Sequence, residues 1–116
     1  MAHCVWLSSS DIDLAAQRGA TVVHCPRSNL KLGSGIAPAE DFLRAGISVA
    51  LGTDSSASNN SQDILEEMRF ASLLQKGTRG DPALLSPAQS LAMATSAAGP
   101  ATGFSLGHPA IQEPAD

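Results

Sequence analysis

The 116-residue chain contains no tyrosine, and aromatic residues make up only 3% of it. It therefore lacks the stacking platforms that hold single-stranded nucleic acid. Basic residues are also scarce, with 7 Lys and Arg against 11 Asp and Glu and a formal net charge of -4. That balance argues against a nucleic-acid surface and against an anionic membrane as partners. No apolar run approaches the roughly 18 to 20 residues that a membrane span needs. Met1, Ala2, His3 and Cys4 form neither a basic start nor the beginning of a long apolar segment, so no secretory leader is expected. The two cysteines, Cys4 and Cys25, are too few for a disulfide framework, and free thiols in a reducing cytoplasm are the expectation.

Apolar residues account for 43% of the chain, enough for one globular domain or a piece of a larger one. Its organising stretch is residues 48–60, SVALGTDSSASNN. With Ile47, the first five residues form a short apolar run of the kind seen in strands buried on both faces. The run ends at Gly52-Thr53-Asp54, with no Lys or Arg within about nine residues of the acid. Small and polar residues then fill positions 55–61, which reads as a loop. A strand that delivers a carboxylate into such a loop is how parallel α/β folds build sites at the carboxyl ends of their strands. Asp54 as the cap of a following helix, or as the start of an Asx turn, is the competing reading.

The rest of the chain alternates helix and strand signals. Residues 1–6 read as a strand end. Ser8 to Ser10 with Asp11 and Asp13 start a short helix that Arg18 and Gly19 close. Residues 20–25 (ATVVHC) read as a strand stopped by Pro26, and residues 27–36 as a loop. Pro38 opens a helix ending at Gly46, and residues 47–52 form the next strand. Residues 63–76 read as the longest helix, with Ile64, Leu65, Met68, Ala71 and Leu74 inward and Glu66, Glu67 and Arg69 outward. A polar turn is expected over residues 77–81, and Ser86-Pro87 starts a last helix. This order implies βα units around a parallel sheet. A complete (β/α)8 barrel needs roughly 250 residues, so the chain reads as the last part of one.

Each of the three strands ends in polar groups: His3, then His24 with Arg27 and Asn29, then Asp54. A histidine and an aspartate together suffice for acid/base work or for part of a metal site. Read singly, His3 is equally a solvated end, His24 a structural histidine, and Arg27 and Lys31 solvated loop charges.

Three stretches, AHCVWLS, HCPRSNLKLGSGIAP and LGTDSSASNNSQDILEEMRFASLLQK, resemble the amidohydrolase superfamily. They are most similar to its 5-methylthioadenosine/S-adenosylhomocysteine deaminase branch and to the related 8-oxoguanine deaminases and triazine chlorohydrolases. The resemblance implies the C-terminal part of a (β/α)8 barrel, strands six to eight with their helices over residues 1–98. It implies one divalent metal, zinc or iron, and a homo-oligomeric parent enzyme that adds water to the ring carbon of an aminopurine nucleoside. A triazine or 8-oxoguanine substrate is the alternative. By the same resemblance Asp54 is the metal ligand and proton acceptor, and His3 holds the attacking hydroxide. Arg27, Ser28, Asn29, Ser58 and Asn59 shape the substrate pocket. The family's paired metal histidines, its fifth-strand histidine and the neighbouring glutamate have no counterpart here, since only His24 and His108 remain. Zinc hydrolases use about three protein ligands and a water, so this chain by itself is expected to be inactive. Residues 99–116 depart from the family pattern and are expected to form an irregular tail.

Overall fold

Two β-branched stretches pair to make the centre of the molecule. In the computed structural model, which describes residues 1–103, strand β1 (Thr21–His24) lies parallel to β2 (Ser48–Leu51), with Thr21 opposite Ser48 and His24 opposite Leu51. On the other side of β1, among the described residues, a single bridge pairs Ala2 with Val23 in parallel. Residues 1–6 were expected to end a strand. His3 and Cys4, at φ of 62° and 52°, turn the backbone into left-handed space and lead the chain away after that bridge.

Helices cover the face of the sheet that carries Val22, Val49 and Leu51. Helix α1 (Ser9–Gln17) starts as expected in a capping box: the Ser8 hydroxyl accepts from the Asp11 N–H, and the Asp11 carboxylate accepts from the Ser8 N–H. It contributes Ile12 and Ala15 to the core. After β1 the chain forms α2 (Pro26–Lys31) where a loop was expected. Pro26, which ends the strand, occupies the first helical position, where its missing N–H is no loss. The helix is short and its buried face is polar, Ser28 and Asn29, so it carries no apolar period to reveal it. Helix α3 (Ala39–Arg44) buries Phe42 against Ile47 and the sheet.

Beyond β2, Ser55 caps a single turn, α4 (Ser56–Asn59), where a loop was expected, and Asn60 closes it at a φ of 64°. Helix α5 (Ile64–Arg79) runs three residues past its expected end. The Thr78 hydroxyl donates to the Leu74 carbonyl, Arg79 pairs with Asp41, and Gly80 ends the helix in the left-handed region. Helix α6 (Pro87–Ala94), with a Ser86 capping box, packs Met93 into the core. A 3-10 turn, Ser96–Ala98, and a short helix α7 (Gly99–Thr102) follow. The irregular tail expected from residue 99 thus begins with a helical turn, because Pro100 sits where a helix start tolerates it. Its remainder, with His108, lies outside the described residues.

The two faces of the sheet differ. Val23, Cys25, Ala50 and Gly52 point away from the helical core, and there the strands touch closely: a β-carbon on Gly52 would stand 2.7 Å from Val23 Cγ1 and 3.3 Å from Cys25 Sγ. Glycine at position 52 thus lets β1 and β2 stay in register up to the residues that precede Asp54. Large apolar side chains remain exposed elsewhere, including Trp6 at 85%, Leu65 at 69% and Leu73 at 62%. Among the described residues no helix is long and apolar enough to cross a membrane. Gly52→Ala is expected to lower stability by about 1 to 3 kcal/mol, as overpacking does. Urea denaturation of the variant beside the wild type is the check, and an unchanged midpoint would remove the close-approach argument.

Candidate functional site

The site forms where β1 and β2 release the chain. Asp54 has a φ of 60°, a conformation uncommon for residues other than glycine, and His3 and Cys4 share that region. Backbone strain of this kind is retained where the surroundings over-determine it. Ser55, not Asp54, is the N-cap of α4, which excludes the capping reading of the aspartate. Its Oδ2 instead accepts two hydroxyl hydrogen bonds, from Ser28 Oγ at 2.6 Å and from Ser58 Oγ at 2.7 Å. Ser28 rides on α2 and Ser58 on α4, so one turn from each strand end contributes one donor. These donors, the Ser28 hydroxyl first, then Ser58 and the Ser55 N–H, pull the Asp54 carboxyl down to about 2, and the His3 charge adds to them. At neutral pH the carboxylate is fully ionised.

His3 faces it. Its Nδ1 lies 2.8 Å from Asn29 Oδ1 and its Nε2 lies 3.9 Å from Asp54 Oδ2. The amide oxygen only accepts, so Nδ1 donates to Asn29, and the ring is turned so that Nε2 faces the carboxylate. A gap of 3.9 Å is too long for a hydrogen bond and short enough for one oxygen atom to reach both groups. Both side chains are partly open to solvent, 41% for His3 and 31% for Asp54.

The two flanking turns are tied together. Lys31 on α2 donates to the Ala57 carbonyl and to Asn60 Oδ1, which rules out a freely solvated lysine. Arg27 pairs with Glu66 and lies over the Phe70 ring, 5.5 Å from its centroid. Asn59 donates from Nδ2 to the Thr53 carbonyl and, at 2.7 Å, to Glu67 Oε1. The guanidinium of Arg27 and the amide N–H groups of Asn59, expected in the substrate pocket, therefore turn toward α5. Ser28, Asn29 and Ser58 are buried and hold the two candidate catalytic groups.

Two residues of α5 lie on the opposite side from the one expected: Leu65, expected inward, is exposed to solvent, and Glu67 is buried. Expected outward because it is charged, it has 0% exposure. Its spacing gave the signal: position 67 lies three residues after Ile64 and four before Ala71, on the inward stripe of α5. Gln75, four residues beyond Ala71, is buried on the same stripe and bonds the Ala37 carbonyl and the Glu40 N–H.

His24 joins none of this. It sits at the end of β1 on the helix-covered face, 1% exposed, and neither ring nitrogen has a hydrogen-bond partner among the described residues. Burial, helped by the His3 charge, lowers it to about 4. It is a neutral, structural histidine.

Among the described residues no three His, Cys, Asp or Glu side chains come together as a metal site. Asp54 and His3 are donor types that zinc accepts, and among the described residues they would supply part of a zinc hydrolase set of about three protein ligands.

A family model described as the amidohydrolase family matches residues 1–116. A 5-methylthioadenosine/S-adenosylhomocysteine deaminase from Pelotomaculum thermopropionicum is 51% identical over 103 residues, covering 89% of this chain and 24% of that protein. Among solved structures, an adenosine deaminase from Xanthomonas campestris with bound zinc superposes with a TM-score of 0.93 at 42% identity, covering 99% of this chain and 27% of that one. An atrazine chlorohydrolase from Arthrobacter aurescens complexed with zinc follows at a TM-score of 0.82 and 32% identity, covering 88% and 23%. The chain belongs to the amidohydrolase family. It is an α/β portion of that fold and spans about a quarter of the length of the curated relatives it matches.

The buried His24 makes stability pH-dependent. Its folded pKa lies below the ordinary 6.5, so its contribution is whole above pH 6.5 and is lost as the pH falls toward 4. The loss amounts to about 3 kcal/mol. His24→Leu is expected to remove this part of the slope. Urea denaturation between pH 7 and 4 measures it, and equal slopes in both proteins would contradict the assignment.

Proposed function

We propose that these residues form the Asp54 and His3 half of a hydrolytic deaminase site that acts on an aminopurine nucleoside of the 5-methylthioadenosine or S-adenosylhomocysteine type. The observation that carries the reading is the ionised Asp54, fixed by two hydroxyls and facing the Nε2 of His3 across 3.9 Å. A water oxygen between them has a proton acceptor on one side and a hydrogen-bonding ring nitrogen on the other. In the reaction this water forms a C–O bond at the ring carbon that bears the amine, the C–N bond breaks, and ammonia leaves. Asp54 takes one proton from the water and passes it to the departing amine, and the remaining hydroxyl proton ends on the ring nitrogen as the carbonyl forms. His3, oriented by Asn29, holds the oxygen in line.

A carboxylate held near pKa 2 is a weak base toward ordinary water. The reading therefore includes a divalent cation of the kind named for the zinc-bound relatives, with donors beyond the described residues of this chain. The substrate class rests on the deaminase relatives; the triazine alternative rests on the chlorohydrolase, whose matching segment superposes less closely.

In a full-length amidohydrolase carrying these residues, Asp54→Asn is expected to lower kcat for ammonia release from 5-methylthioadenosine by about 10²-fold or more. The amide cannot accept the proton. Near-normal turnover in that variant would withdraw the catalytic role. Turnover of a triazine alone by the wild type would replace the substrate class.

A further inference from the structure

A single buried carboxylate stands behind both hydroxyls that grip Asp54. Glu67 Oε2 accepts the backbone N–H of Arg27 at 3.2 Å, and Oε1 accepts from Asn59 Nδ2 at 2.7 Å. Arg27 directly precedes Ser28, and Asn59 directly follows Ser58. The two arms that Glu67 holds are therefore the two that donate to Asp54 Oδ2, at 2.6 and 2.7 Å. The arms come from different βα units, α2 after β1 and α4 after β2, and Glu67 lies on neither arm but on α5, the helix that follows α4. A buried acidic side chain is tolerated only where its oxygens are hydrogen-bonded or paired. Here the Nε of Arg27 lies 4.0 Å from Oε1, and the first turn of α5 supplies the favourable end of its dipole.

We infer that Glu67 is a positioning residue for Asp54: it clamps the Ser28 and Ser58 arms at the spacing that keeps the aspartate carboxylate aimed at His3. This rests on the function proposed above for its catalytic consequence, though not for the geometry. Glutamine is nearly the same size but offers one acceptor oxygen and an NH2 group, so it cannot accept from both arms. One arm is released in Glu67→Gln. Asn59→Ala frees the Ser58 arm from Glu67, also removes the Asn59 bond to the Thr53 carbonyl, and leaves the Arg27 N–H bonded to Glu67.

The experiment combines steady-state kinetics with crystal structures of both variants in a full-length amidohydrolase carrying these residues, using 5-methylthioadenosine as probe and counting only folded sites. For Glu67→Gln, kcat is expected to fall about 10²-fold, as for a misplacement near 1 Å, with KM unchanged. The crystal is expected to show one serine hydroxyl beyond about 3.5 Å from Asp54 Oδ2. For Asn59→Ala, the Ser58 contact opens and the Ser28 contact stays. A residue that only stabilises the fold would reduce the folded fraction and leave kcat per site alone. An unchanged kcat per site, or both serines still on Asp54 in Glu67→Gln, overturns the clamp. If Glu67→Gln does not fold, Asn59→Ala decides by the same readouts, and Ser58 still on Asp54 overturns it. If the wild type releases no ammonia, the function proposed above fails, and the serine distances still decide the clamp.

Discussion

Asp54 stands in left-handed backbone space with one carboxylate oxygen shared between two serine hydroxyls, and the chain around it is arranged to keep it there. Neither constraint survives alone. The positive φ places the side chain between α2 and α4, and the hydroxyls from those turns offset the strain of holding it. The strand pairing supplies the distance. With His24 opposite Leu51 and a glycine at position 52, the two strand ends lie close enough for Ser28 to reach an aspartate from the neighbouring unit.

Low pKa and orientation both follow from polar groups that are themselves buried. Ser28, Asn29, Ser58 and Asn59 have almost no exposure, so their hydrogen bonds form in a medium where leaving them unmade is costly. Such a network is rigid, which suits a site whose chemistry depends on aim more than on basicity. It also divides the labour. Residues on the strand ends and turns face the open side, while α5 and the salt-bridged Arg27 brace them from behind.

The sequence made the large features legible because they depend on periodicity and punctuation. Both strands were readable from β-branched runs closed by Pro26 and Gly52, and α1, α3, α5 and α6 from caps and apolar spacing. The short turns α2 and α4 escaped because their buried faces are polar, a pattern that reads as loop when hydrophobicity is the guide. Asp54 and His3 stood out as polar groups at strand ends, and the structure brings them within 3.9 Å. Glu67 escaped for a different reason: a charged side chain reads as outward, although its place on the helical stripe of α5 points inward. Arg27 was visible as a charge near the site, but not that its partners were Glu66, Glu67 and Phe70, some forty residues away. Pairings at that range are set by the fold and leave no local trace.

The hold of Ser28 and Ser58 on Asp54 is the centre of this account, and a carboxyl-carbon NMR titration of Asp54 tests it most directly. With the carboxyl held at about 2, its chemical shift is predicted to stay flat from pH 7 to pH 4 in the wild type. In a Ser28→Ala/Ser58→Ala double variant it should move upfield as the pH falls toward 4. A wild-type Asp54 that is about half protonated near pH 4, as an ordinary aspartate is, would contradict it.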